Sequence, residues 1–125
     1  MYVEERVYTV MPGRIAEYLA LYEAKGMIPQ QRYIKHMLGY YASEIGDLNE
    51  VIHMWMHESL DARDLNREAM KADPEFAAYW REVRGIVVAQ RTRIMKPAPF
   101  FRDRLQRLLE ICQQPMESAG DLISN

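Results

Sequence analysis

From Tyr2 to Val10 the residues Val3, Val7, Tyr8, Thr9 and Val10 suit a strand, and Met11-Pro12-Gly13 ends the run as a turn. Ile15, Tyr18, Leu19 and Tyr22 then recur at three- and four-residue steps, which predicts a helix over Arg14 to Lys25 with Gly26 as its C-cap. Met27 to Lys35 is ambiguous, because Pro29 breaks a helix while Gln30 to Met37 could form a short turn of one. Leu38 to Glu44 is aromatic and reads as a second strand. Gly46-Asp47-Leu48-Asn49 reads as a hairpin connection into a third strand, Glu50 to His57.

Ser59 can cap a following helix whose early turns carry Asp61 and Asp64 and whose apolar anchors are Leu60, Leu65 and Met70. Asp73-Pro74-Glu75 restarts the chain, with Asp73 as a cap and Pro74 at the first helical position. Phe76, Tyr79, Trp80 and Val83 form the inward stripe of that helix, and Gly85 ends it. Ile86 to Met95 reads as a fourth strand, closed by Pro97-Ala98-Pro99. A last helix spans Phe101 to Cys112, and the polar composition after Gln113 predicts fraying to Asn125.

The order β-α-β-β-α-β with an appended helix is the split pattern of a ferredoxin-like α+β domain, here over residues 1–101, with a C-terminal helix and polar tail over 102–125. Helices cover one face of such a sheet. The other face stays open, and four strands rich in large side chains call for a cover, so a homodimer pairing two open faces is expected. The alternative is a monomeric α/β sandwich with both faces covered.

Strand parity suggests where chemistry sits. On the third strand Val51, His53, Trp55 and His57 share one side and Ile52, Met54 and Met56 the other. The apolar set suits burial under helices, and the mixed imidazole and indole set suits a pocket wall or a barrel interior. Glu4, Arg6, Tyr8 and Val10 share a similar polar and aromatic face on the first strand. His53 is the candidate catalytic base, with Arg6 or Tyr8 holding a substrate oxygen. Arg6, Tyr8, Glu44, His53, Trp55 and Gln90 are the candidate binding residues. The plainer reading makes His53 a hydrogen-bonded core residue and lets Arg6 neutralise a buried carboxylate such as Glu44. His57, at the strand end, is expected to face solvent. His53 and His57 lie roughly 13 Å apart along a strand, too far to share an ion, so no metal and no cofactor is expected.

A resemblance then emerges. RVYTVMPGRIAEYLALYEAKG, GYYASEIGDLNEVIHMWMHESLDARDLNREAMKADPEFAAY and QRTRIMKPAPF together resemble the NIPSNAP family of the dimeric α+β barrel superfamily, over Tyr2 to about Phe101. The most specific pieces are SEIG-x-LN, HMW, ESL-x-AR and ADPE. The resemblance implies two ferredoxin-like units whose sheets form a shared barrel. It implies little chemistry: some members look like vesicle or mitochondrial adaptors, and bacterial ones are of unassigned role. The function expected is binding of a small apolar or aromatic molecule in the barrel; the alternative is a cofactor-independent monooxygenase or isomerase using His53 as base.

Composition narrows the field further. A chain of 125 residues with 49% hydrophobic and 27% charged residues fits one soluble globular domain. A formal charge of −2 removes the electrostatic case for nucleic acid. The single cysteine, Cys112, has no partner for a disulfide, and Glu4, Glu5 and Arg6 interrupt any signal-peptide run, so a cytoplasmic protein without a membrane span is expected.

Overall fold

Strand β1 (Tyr2–Val10) pairs on both edges, antiparallel to β3 (Glu50–His57) on one side and to β4 (Val87–Met95) on the other. Strand β2 (His36–Ala42) joins the far edge of β3, giving a four-stranded antiparallel sheet in the order β2-β3-β1-β4. This order, in a computed structural model that describes residues 1–111 and 115–117, is that of a ferredoxin-like α+β domain. The second strand starts and stops two residues earlier than its composition suggests. Ser43 donates its backbone N–H to the Glu50 carbonyl at 2.9 Å, and the loop after it turns through Gly46 at a φ of 113°.

The first helix does not stop at Gly26. Helix α1 (Ile15–Leu21) runs through a π turn (Tyr22–Gly26) into α2 (Met27–Gln31), and Met27 donates to the Tyr22 carbonyl five residues back. The widened turn makes room for Pro29, whose ring would otherwise strike the carbonyl four residues earlier. Gly26 has an ordinary helical conformation. It is needed for another reason: a Cβ there would lie 2.7 Å from the ring of Tyr79. Helices α3 (Leu60–Ala72) and α4 (Pro74–Val83) begin where the caps predict. Ser59 Oγ accepts from the Ala62 N–H at 3.0 Å and Asp73 Oδ1 from the Glu75 N–H at 2.8 Å.

Which sheet face the helices cover reverses the expectation. Tyr8, Val10 and Val51 pack with Tyr18, Tyr22, Tyr79 and Val83, so the side carrying His53 and Trp55 is the one beneath the helices. The apolar side of β3 points the other way. There Val3 and Met56 are covered by Leu105 and Leu109 of helix α5 (Arg102–Ile111), which follows a 3-10 turn at Pro99–Phe101. Helix α5 thus packs on its own sheet. Cys112 and the expected fraying beyond Gln113 lie outside the described residues, except that Met116 exchanges two backbone hydrogen bonds with the Gln31 side chain at 2.9 and 3.1 Å. Among the described residues no helix is long and apolar enough to cross a membrane.

Candidate functional site

Antiparallel register sets the inward residues side by side. Glu4 lies opposite Trp55, Arg6 opposite His53 and Thr92, and Tyr8 opposite Gln90. All project toward the helices, so three strands and α3 build one polar cluster inside an otherwise apolar layer.

Glu4 is its centre. The carboxylate is almost wholly buried and accepts from Arg63 at 2.8 and 3.1 Å, Arg6 at 3.0 Å, Thr92 at 3.0 Å and His57 at 2.9 Å. Burial by itself favours the neutral acid, but the bonds from His57 and Arg63 and the charge of Arg6 outweigh it and hold the carboxyl far below its usual range. Since Glu4 is ionised, His57 Nε2 carries the proton that joins them. His57 therefore does not face solvent: it is buried and bonded to the first strand. Arg6 also donates to the Tyr8 hydroxyl at 3.2 Å and to Gln90 Oε1 at 3.3 Å. Its carboxylate partner is Glu4 and not Glu44, which is exposed in the β2–β3 loop beyond the end of β2.

His53 is enclosed by rings. It stacks on Tyr40 with centroids 4.7 Å apart and planes at 12°, and meets Tyr8 edge-on at 4.7 Å. The Trp55 indole N–H donates to His53 Nδ1 at 2.7 Å. Burial, reinforced by the charge of Arg6, lowers its pKa to about 3, so the ring is neutral with its proton on Nε2. That nitrogen has no hydrogen-bond partner among the described residues. With the Nδ1 lone pair already engaged, His53 is arranged as a donor, whereas a general base needs a free lone pair.

Beside this cluster a cleft of about 340 Å³ opens between β1, β4 and the helices. Arg6, Tyr8 and Gln90 form its floor and Phe76, Trp80 and Met70 its apolar walls, with Gln30, Arg67 and Lys71 around them. Gln30 Oε1 accepts the Tyr22 hydroxyl at 2.5 Å, which fixes that amide. Of the residues singled out by sequence, Arg6, Tyr8 and Gln90 line the cleft; His53 and Trp55 are packed behind it, and Glu44 is apart from it. Strand parity grouped Glu4 with Arg6 and Tyr8, and this was the signal for the hub that the sequence reading passed over. Arg63 and Arg67 also went unnoticed, although a spacing of four puts both on one side of α3. Among the described residues no group of three or more His, Cys, Asp or Glu side chains is placed to hold a metal ion.

Comparison with known proteins agrees with this fold. The family model described as NIPSNAP matches residues 3–102. A crystal structure of a NIPSNAP family protein with unknown function from Agrobacterium tumefaciens superposes with a TM-score of 0.78 at 36% identity, covering 80% of this chain and 90% of that one. An uncharacterised NIPSNAP domain protein from Burkholderia xenovorans gives 0.77 at 28% identity, covering 80% and 97%. Protein NipSnap homolog 3B of Homo sapiens is 34% identical over 64 residues, which is 51% of this chain and 26% of that protein, so the match spans about a quarter of the relative's length. A putative antibiotic biosynthesis monooxygenase from Nitrosomonas europaea shares the fold alone, with a TM-score of 0.57 at 11% identity.

Proposed function

The chain belongs to the NIPSNAP family, and from that premise we propose that its cleft binds one small molecule with a flat apolar or aromatic body. The observation that carries this reading is the wall composition. Trp80, Phe76 and Tyr8 present ring surface to a space of about 340 Å³, while Gln90 and Arg6 offer donors at its floor. That volume is at the lower end of the roughly 300–1,000 Å³ usual for ligand pockets, which suits a compact occupant. The site differs from a barrel interior, because it lies on the helix side of the sheet. Binding without turnover is the reading favoured here, since His53 supplies a proton donor and no free base.

The chain has two tryptophans, so its indole N–H resonances form a two-peak spectrum. Titration with 2-naphthamide, a neutral aromatic probe, should shift the Trp80 peak saturably and leave Trp55 nearly still. Gln90→Trp, which fills the cleft from β4, should abolish the shift. No saturable shift, or one unchanged by filling, would overturn the reading.

We also propose that two copies pair through the sheet face opposite the helices. Beyond the end covered by α5, where Met54 still packs against the Leu105 and Leu109 cluster, this face carries Ile52 over the buried Val7, with Tyr41 57% exposed at its edge. The ion pairs Glu5–Arg93 at 2.9 Å and Glu50–Arg91 at 3.2 Å flank it. Light scattering at micromolar concentration should report a dimer, and Ile52→Arg a monomer. A monomeric parent protein would defeat this assembly.

A further inference from the structure

Arginines that point inward in this fold are paired, with one exception. Arg63 has Glu4 and Asp64, and Arg6 has Glu4, Tyr8 and Gln90. Arg67, half-buried on α3 and lining the cleft, makes no hydrogen bond or ion pair among the described residues. Among the described residues the carboxylate whose charge acts on it, Glu4, is already engaged. Glu4 already accepts five hydrogen bonds, two from Arg63 and one each from Arg6, His57 and Thr92. Three guanidinium groups thus share one carboxylate, and Lys71, ion-paired to Glu68 at 3.9 Å, stands at the rim. Burial and the repulsion of Arg6 both act against the charge on Arg67. A desolvated cation without a partner is costly, and its natural complement is an anion in the cleft it lines.

We propose, resting on the cleft reading above, that the occupant is a monocarboxylate of a flat apolar or aromatic body, with Arg67 and Arg6 gripping the carboxylate and the rings of Trp80 and Phe76 holding the body. Guanidinium forks match the planar carboxylate in geometry, and ring walls disfavour a heavily charged polyphosphate. Gln30 lies on the same cleft and spends only its oxygen on Tyr22, which leaves its amide N–H groups to a ligand oxygen.

The test compares 2-naphthoate with 2-naphthamide at pH 7, probes of one shape that differ in charge. Naphthoate should bind at least about tenfold tighter to the unaltered protein, as one charge-assisted bond implies. Raising ionic strength should weaken naphthoate and spare the amide. Arg67→Gln should cut the preference at least about threefold and leave the remainder to Arg6, and its thermal midpoint should be no lower than that of the parent, because the substitution removes repulsion. Equal affinities in the parent would overturn the anion assignment and leave the cleft reading standing. A preference for naphthoate undiminished in Arg67→Gln would also overturn it, since the charge would then be read elsewhere. Binding of neither probe would overturn both.

Discussion

Trp55 and His53, two positions apart on β3, are joined side chain to side chain by the indole N–H bond to Nδ1 at 2.7 Å. The bond decides the tautomer of the imidazole and ties both rings into the layer beneath the helices. Removing the imidazole therefore does two things. It leaves a cavity beside Tyr40 and Tyr8, and it leaves a buried indole N–H without an acceptor. His53→Ala should cost about 2–4 kcal/mol in urea unfolding. A loss under about 1 kcal/mol would show that the ring contributes little to the core.

The same imidazole gives stability a pH dependence. Unfolded, it titrates near its ordinary 6.5; folded, it stays neutral down to about 3. Its contribution is fully present above pH 6.5 and declines as pH falls toward 3, because only the unfolded chain takes up the proton. The limiting slope is about 1.4 kcal/mol per pH unit. Glu4, whose pKa is depressed from 4.5, adds its own loss only below about pH 4.5. Denaturant midpoints at pH 7, 6 and 5 should fall for the parent protein and fall much less for His53→Phe. Parallel curves for the two proteins would remove His53 from the account.

Much of this fold was legible as residue pattern. Ser59 and Asp73 mark helix starts through side-chain oxygens, a local signal that tertiary structure leaves alone. Periodicity grouped His53 with Trp55, and Arg6 with Tyr8, because parity is a property of the strand itself. Parity does not say which side the helices take, and the apolar side of β3 lies opposite to them. Gly26 and Pro29 read as breaks because their roles are set from outside the helix, by Tyr79 and by the widened turn. Parity placed Glu4 on the face of Arg6 and Tyr8 without marking it as the hub, because its partners stand 2, 53, 59 and 88 positions away in sequence.

Glu4 ties β1 to β3, β4 and α3 at once, so neutralising it should be costly. Glu4→Gln leaves Arg63 and Arg6 without their shared counter-charge in a buried site. The expected loss is about 3–5 kcal/mol. Glu4→Gln combined with Arg63→Met removes one stranded cation and should recover part of it. A double variant as unstable as the sum of its two single variants would show that the pair is not coupled.

Gly26→Ala sets two known effects against each other. Alanine favours a helix interior over glycine by about 1 kcal/mol, so an open site would be stabilised. Here the new Cβ would meet Cζ of Tyr79 at 2.7 Å and its two Cε atoms at 2.8 Å. Tyr79 is buried between α4 and the π turn, with Tyr22 6.0 Å away on one side and Phe76 at 5.6 Å, so its ring has little space to retreat. Overpacking of this kind costs about 1–3 kcal/mol, and the clash should win. The net change should be a loss of about 1–2 kcal/mol in urea unfolding. The ring, and not its hydroxyl, makes the contact, which separates two controls. Tyr79→Phe should leave the penalty of Gly26→Ala in place, while Tyr79→Leu should shrink it or reverse its sign. Gly26→Ala that stabilises the parent protein would mean that the helix and the ring move apart at little cost.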